Sequence, residues 1–231
     1  MMIQLNELIK KVRKNYDEYD FDEIYKLINN FVNSLSNFYL DFTKDILYID
    51  KYNSHERRSV QTVLYENLYA LIRLMAPILP YTSEGVYKLV PGVKEESVHL
   101  ERFPEPVICK NEEEILELWN VFFSIKDDVY KALEEARNNK IIGKSLEAKV
   151  YLNLRDEDKE TLKPILPNLK QLLIVSDVII SAEELTKYDY CAVSVQKFNG
   201  ARCERCWNYF NERDIIDNVC PRCHEIISEG N

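Results

Sequence analysis

Two Cys-x-x-Cys pairs near the end of the sequence limit how that region can fold. Cys203 pairs with Cys206 and Cys220 with Cys223, and residues 207–219 separate the two pairs. Each pair can present two thiolates from one tight turn, and two such turns complete a tetrahedron around Zn²⁺. The surrounding segment has too little apolar sequence for a core, whereas Zn²⁺ contributes on the order of 10 kcal/mol or more to the folding of such units. The spacing therefore predicts a zinc ribbon with these four cysteines as ligands.

Two disulfide bonds are the alternative use of four cysteines, and they would require an oxidising compartment. The sequence begins Met1-Met2-Ile3 and continues as amphipathic sequence, which is not the pattern of a secretory signal peptide. We therefore expect reduced cysteines and a cytoplasmic protein. The remaining cysteines, Cys109 and Cys191, have no partner at metal-binding spacing, so we expect them to be partly buried thiols.

A metal held by four thiolates has no open coordination position, so the predicted zinc is structural and not catalytic. His224 directly follows Cys223 and could compete as a ligand, but four cysteines already complete the ligand set. Residues 143–145 resemble the end of a phosphate-binding loop, yet that loop needs a glycine at the position of Asn138. We predict no active site in this sequence.

The composition is that of a soluble globular protein. The 231 residues are 46% hydrophobic and 30% charged, enough for one large or two modest domains. No apolar run reaches the roughly 18 residues of a membrane span. The net charge of −9 argues against indiscriminate coating of nucleic acid, although residues 137–149 and 196–210 carry more basic than acidic side chains. Those basic stretches are either solvated faces or local nucleic-acid contacts.

Helical periodicity runs through the first part of the sequence. Apolar stripes at steps of three and four predict helices over 1–14, from Asp20 through about seven turns, from Ser54, after Thr82, and from about Asn111. Helices joined by such short links must bury their stripes against one another, which predicts a helical bundle over residues 1–143.

The period changes after residue 144. Alternating apolar residues at 150–154 indicate a strand, a ragged helix is expected over 158–171, and strands are expected at 172–175 and 192–195. We predict a small α/β unit over 144–197 and the zinc-binding module over 198–231. The predicted fold is therefore mainly α, with a helical bundle followed by a small α/β unit and a zinc ribbon.

Several segments resemble one family. Residues 37–48, 57–64 and 76–84 resemble the anticodon-binding helical bundle of class I aminoacyl-tRNA synthetases, and 133–148 resembles the junction that follows that bundle. The ending, with its two cysteine pairs, is similar to the zinc module that closes the bacterial isoleucyl members. The resemblance covers essentially the whole chain in the family's order. The sequence departs from the family at Gly85 and Tyr87, where glutamate and tryptophan are usual.

This resemblance implies a chain that looks like the C-terminal third of such an enzyme. It implies recognition of the anticodon stem-loop of tRNA(Ile), with the catalytic and editing domains as partners, in a monomer. The family's His-Ile-Gly-His and Lys-Met-Ser-Lys-Ser motifs do not occur here, so ATP-dependent aminoacylation would belong to a catalytic domain absent from this sequence. Trp207 and Arg205, beside a rigid metal-held turn, are expected to stack on bases. The expected phosphate contacts are Lys44, Lys51, Arg57, Arg58, Arg137, Lys140 and Lys144.

Three alternatives remain at this stage. Trp207 could pack against the small core of the zinc module. The chain could be the zinc-finger part of a base-repair glycosylase, although such enzymes need a catalytic amine and acid at the mature N-terminus, where this sequence has Met1-Met2-Ile3. It could also be a structural zinc ribbon for protein partners, which fits the negative charge but leaves the bundle motifs unexplained.

Overall fold

The computed structural model describes residues 1–183 and 185–229. They form two compact units, one of Met1–Leu47 with Tyr52–Lys110 and one of Tyr48–Lys51 with the chain from Asn111 onward. The division of the sequence into 1–143, 144–197 and 198–231 stays a prediction.

The first unit is helical. Its helices are α1 (Met2–Asp17), α2 (Phe21–Ser34), α3 (Leu40–Ile49, whose last residues belong to the second unit), α4 (His55–Met75) and α5 (Pro80–Tyr87). Helix α1 packs against both α2 and α4, and the three helices share one core. Its buried members include Leu8, Val12, Ile24, Ile28, Phe31, Leu71 and Leu74. The predicted stripes therefore do bury against each other in this unit.

Local signals place the helix ends. The carboxylate of Asp20 accepts the N–H of Glu23 at 3.1 Å, and the hydroxyl of Ser54 accepts that of Arg57 at 3.2 Å, so the helix starts predicted at these two residues are confirmed, with both side chains as N-caps. Helix α5 begins at Pro80 and not after Thr82, because proline fits the first helical turn.

One expected helix is interrupted by a π-helical turn. Leu35–Tyr39 form this turn between α2 and α3, in a stretch where the periodicity predicts a single helix of about seven turns. The buried hydroxyl of Thr43 donates to the carbonyl oxygen of Tyr39 at 2.6 Å, at the junction with α3. Apolar periodicity does not register such an insertion, because the stripe continues through it.

The irregular connector before residue 110 is fixed by side chains. The hydroxyls of Tyr69 and Tyr87 donate to the carboxylate of Glu101 at 2.5 and 2.6 Å. The amide of the buried Asn6 donates to the carbonyl of Val107 at 2.7 Å and accepts its N–H at 2.9 Å. These bonds hold the connector against α4, α5 and α1.

The second unit is built on a four-stranded sheet. Its strands are β1 (Ala148–Asn153), β2 (Asp177–Ile180), β3 (Thr186–Lys187) and β4 (Ala192–Lys197), in the order β2-β1-β4-β3. β1 pairs in parallel with β2 and antiparallel with β4, with Val150 opposite Val178 and Val195. The strands expected at 150–154 and 192–195 are thus present.

Helix α6 (Glu112–Asn138) packs against β4 and against α7 (Asp156–Leu162). Apolar periodicity predicts α6 as part of the helical bundle, whereas the structure places it in the same unit as the sheet. The buried carboxylate of Asp128 accepts the N–H groups of Tyr190 at 2.6 Å and Cys191 at 2.9 Å, which ties the helix to the start of β4.

The expected strand at 172–175 is wrong. Helix α8 (Leu169–Leu172) ends there, a turn follows, and β2 begins only at Asp177. A short apolar run of this kind fits a buried helix end as well as a strand. The ragged helix expected over 158–171 is divided by a 3₁₀ turn at Leu166–Asn168.

Among the described residues, no helix combines the length and the apolar composition needed to cross a bilayer.

Candidate metal centre

The structure brings the four cysteines of the two pairs together. The sulfur atoms of Cys203, Cys206, Cys220 and Cys223 all lie within 4.8 Å of one another, and all four side chains are buried. The Cys206 and Cys220 sulfurs are 3.8 Å apart, and all four thiols are free. The predicted ligand set is therefore assembled as one cluster of reduced cysteines.

The first cysteine turn lies between two short strands, β5 (Ala201–Arg202) and β6 (Tyr209–Phe210). The N–H of Trp207 donates to the carbonyl of Cys203, and the N–H of Cys203 donates to the carbonyl of Asn208, both at 2.9 Å. Trp207 has a positive φ of 66°, which closes the turn so that both sulfurs point to the same side. The buried hydroxyl of Ser176 accepts the N–H of Tyr209 at 2.7 Å and so fixes β6 next to the sheet.

The second turn opens a helix. Ile216 and Val219 pair across a tight turn whose central residues, Asp217 and Asn218, both have positive φ, as a type I′ turn requires. Cys220 is the N-cap of α9 (Pro221–Ser228), and Cys223 lies in its first turn. The backbone N–H of Cys220 donates to the sulfur of Cys203 at 3.3 Å, which links the second turn to the first.

The electrostatics of the cluster fit a bound cation. Burial acts to raise the pKa of Cys203, but the N–H groups of Cys206, Cys220 and Arg205 outweigh it and lower that pKa to about 7. Burial raises the pKa of Cys206 to about 11 and also raises that of Cys220, with the neighbouring sulfurs adding to both effects. Four buried thiolates repel one another unless a cation lies between them. Their sulfurs are the donors that soft or borderline metal ions prefer in a tetrahedron, so these residues are positioned to bind a metal ion.

Three predicted residues of this region have clear positions. Trp207 is 60% exposed, so most of its side chain faces solvent and not the core of the module. The guanidinium of Arg205 donates to the sulfur of Cys223 at 3.7 Å, which places a positive charge beside the cluster. The imidazole Nε2 of His224 lies 3.7 Å from a carboxylate oxygen of Asp217, and His224 is outside the four-sulfur group.

The residues expected to contact phosphates lie in both units. In the first unit, Lys44 pairs with Asp41 at 2.8 Å, while Arg57 is half-buried and Arg58 is exposed. In the second unit, Lys140 and Lys144 are exposed.

Two further members of that expected set are engaged within the second unit. Arg137 pairs with Glu134 and donates to the hydroxyl of Ser145 at 3.4 Å. The ammonium of Lys51 is held by Glu225 and Glu229 of the cysteine region.

Comparison with known proteins agrees with the architecture. Residues 1–152 match the family model described as the anticodon-binding domain of tRNA ligase. This chain is 48% identical to the isoleucine–tRNA ligase of Staphylococcus carnosus over 99% of this chain's length. It is 45% identical to the isoleucine–tRNA ligase of Bacillus cytotoxicus over 100% of this chain's length. The isoleucine–tRNA ligase of Geobacillus kaustophilus is 45% identical over 99% of this chain. In each case the chain spans 26% of the relative's length. These matches, which fit the helical core of the first unit, show that the chain belongs to the anticodon-binding domain family of tRNA ligases.

Proposed function

We propose that this chain is the tRNA-recognition part of an isoleucine–tRNA ligase. In this role it binds the anticodon stem-loop of tRNA(Ile), while a catalytic domain outside the chain carries out ATP-dependent aminoacylation. The observation that carries the proposal is the family match over residues 1–152 together with whole-chain similarity to isoleucine–tRNA ligases. The catalytic and editing domains would be its partners, in a monomeric cytoplasmic enzyme.

The metal in this proposal is one structural Zn²⁺. Cys203, Cys206, Cys220 and Cys223 would hold it, and four thiolates leave no position for substrate or water. When bound, the ion supplies charge compensation and cross-links the two cysteine turns. The module's buried cluster otherwise includes few apolar side chains, so the metal replaces a hydrophobic core.

Trp207 is the proposed base-stacking residue. Its side chain is exposed although large, and its backbone N–H is held by the carbonyl of Cys203 in the first cysteine turn. A rigid, solvent-facing indole is suited to an unstacked base of an RNA loop, since each base offers a π face. The proposed phosphate contacts are Lys44, Arg57 and Arg58 in the first unit and Arg137, Lys140 and Lys144 in the second.

The test is a Trp207→Ala variant of the full chain titrated with a tRNA(Ile) transcript. Loss of one stacked base should weaken binding by about 1–3 kcal/mol, or roughly fivefold to more than a hundredfold, at unchanged zinc content. Tyr81→Ala is the matched control, because Tyr81 is 93% exposed but lies far from the cysteines in sequence. Equal affinities for the Trp207 variant and the unmodified chain would remove this residue from the interface.

The net charge of −9 favours a second candidate, a structural zinc ribbon that binds protein partners. The two functions differ in salt dependence, because RNA binding releases counterions and weakens as salt rises. A metal-loaded chain with no salt-sensitive affinity for tRNA(Ile) would favour the protein-binding role. Membership of the tRNA ligase family argues against the glycosylase alternative.

A further inference from the structure

A short segment distant in sequence belongs to the same compact unit as the cysteines. Tyr48–Lys51 are assigned to the second unit, whereas the chain on either side of them belongs to the first. Ile49 is 9% exposed and shares a buried cluster with the four cysteines and Val219. Every other buried member of that cluster comes from residues 203–223, so Ile49 adds an apolar side chain from outside the cysteine region.

Charged contacts flank Ile49 on the same segment. The ammonium of Lys51 lies 2.9 Å from a carboxylate oxygen of Glu225 and 2.6 Å from one of Glu229. Arg222 lies 3.4 Å from a carboxylate oxygen of Asp50. In the Lys51 contacts the positive charge lies on the segment, whereas in the Asp50–Arg222 pair it lies on α9. A shift of α9 by one turn would therefore bring like charges together.

All three of these partners are carried by α9 or its C-cap. The first turn of α9 is fixed by Cys220 and Cys223, two of the four sulfurs that would bind the metal. Without a bound metal, no ligand bonds join these two sulfurs to those of the first cysteine turn, and the orientation of α9 loses that constraint. The metal therefore controls the position of the side chains that hold residues 49–51.

We infer that the zinc-binding module packs on residues 49–51. In this arrangement Lys51 is a positioning residue for the module and not a phosphate contact. The inference rests on the proposed metal site. A phosphate approaching Lys51 would meet the carboxylates of Glu225 and Glu229, which already hold the ammonium. Lys51 is also only one-third exposed, unlike the exposed Lys140 and Lys144.

Coupling between metal binding and docking is reciprocal. If the bound metal favours docking of residues 49–51 by a given factor, then docking raises the affinity for the metal by the same factor. A substitution that weakens docking must therefore weaken metal binding, although residue 51 touches no sulfur.

Zinc affinity of the full chain, measured by competition with a chromophoric chelator, tests this coupling. Lys51→Ala should lower the zinc association constant about threefold to tenfold, the range that two partly exposed ion pairs contribute. Lys44→Ala is the matched control, because Lys44 pairs with Asp41 within the first unit and should leave the constant unchanged. Lys51→Glu combined with Glu225→Lys and Glu229→Lys should recover affinity that Lys51→Glu alone loses.

Hydrogen exchange supplies a readout that does not depend on RNA. Backbone amides at 49–51 should lose protection when zinc is chelated, while amides of α1, in the first unit, keep theirs. Unchanged zinc affinity in Lys51→Ala, or unchanged exchange at 49–51, would overturn the inference. So would a Lys51→Ala variant with weaker, less salt-dependent tRNA binding and normal zinc affinity, because that result assigns Lys51 to a phosphate. Failure of the unmodified chain to bind zinc would instead contradict the proposed metal site. Failure to bind tRNA would contradict the proposed function and not this inference.

Discussion

Gly85 lies within α5, at a position where the family usually has glutamate. A Cβ added there would meet nothing within 4 Å, and its φ lies outside the left-handed region, so the structure requires no glycine. Glycine within a helix costs up to about 1 kcal/mol relative to alanine, because it loses more backbone entropy on folding.

We therefore expect Gly85→Ala to raise the free energy of unfolding by about 0.5–1 kcal/mol, measured by urea denaturation. Gly92 is the matched control, since it has an equally open surrounding but a φ of +77°. Gly92→Ala should destabilise the chain, because alanine is strained in that conformation. Destabilisation by Gly85→Ala would show that this turn of α5 is held by contacts that the helix geometry does not explain.

Arg205 shows what a residue pattern can and cannot predict. Its place between Cys203 and Cys206 indicates a rigid turn, and both base stacking and contact with a sulfur are consistent with that. The sequence does not give the direction of the side chain, which depends on how the second cysteine turn approaches the first. In the structure its guanidinium lies 3.7 Å from the sulfur of Cys223, where it offsets thiolate charge.

At the scale of elements, α6 shows the limit of periodicity. Its buried stripe of Phe122, Ile125, Val129 and Leu133 predicts a long helix, and the structure has one from Glu112 to Asn138. Periodicity reports that one face is buried, but not against which partner. The available signal was Asp128, a carboxylate within an apolar stripe, which requires buried N–H donors. Backbone at the start of β4 supplies those donors.

Asp128 should make the stability of the second unit depend on pH. Burial acts to raise the pKa of its carboxyl, but the N–H groups of Cys191 and Tyr190 outweigh burial and lower it. A depressed carboxyl pKa stabilises the fold above the unfolded value of about 3.9, and this stabilisation is lost as the pH falls through the folded pKa. We expect Asp128→Asn to cost about 1–3 kcal/mol at pH 7 and to flatten the loss of stability below about pH 4.

Urea denaturation from pH 7 to pH 3 measures both effects of that substitution. Asp156→Asn is the matched control, because Asp156 pairs with Lys159 on the exposed surface of the same unit. It should change the free energy of unfolding by less than about 1 kcal/mol. An Asp128→Asn chain as stable at pH 7 as the unmodified one would mean that the backbone N–H groups need no charged acceptor.

At the scale of the whole molecule, local spacing and long-range contacts were not equally predictable. The four cysteines could be identified from their spacing, because each Cys-x-x-Cys turn sets its geometry within a few residues. The contact of Lys51 with Glu225 spans 174 residues, and no periodicity or motif relates two such positions. Ile49 lies at the end of α3, and nothing in the local sequence indicates that it packs among cysteines.

The charge of the whole chain makes its proposed RNA contact testable through salt. A chain of net charge −9 repels a polyanion at long range, so tRNA can be bound only through local groups of cations. Lys140 and Lys144 are exposed and follow the C-terminal end of α6.

The double variant Lys140→Ala, Lys144→Ala should lower the magnitude of the slope of log affinity against log salt by about 0.7–0.9 per phosphate contact removed. Filter binding of a tRNA(Ile) transcript at several salt concentrations measures this slope. Lys163→Ala should leave it unchanged, because Lys163 pairs with Glu160 in the same unit. A double variant with the slope of the unmodified chain would place the phosphates on the remaining proposed contacts, Lys44, Arg57, Arg58 and Arg137.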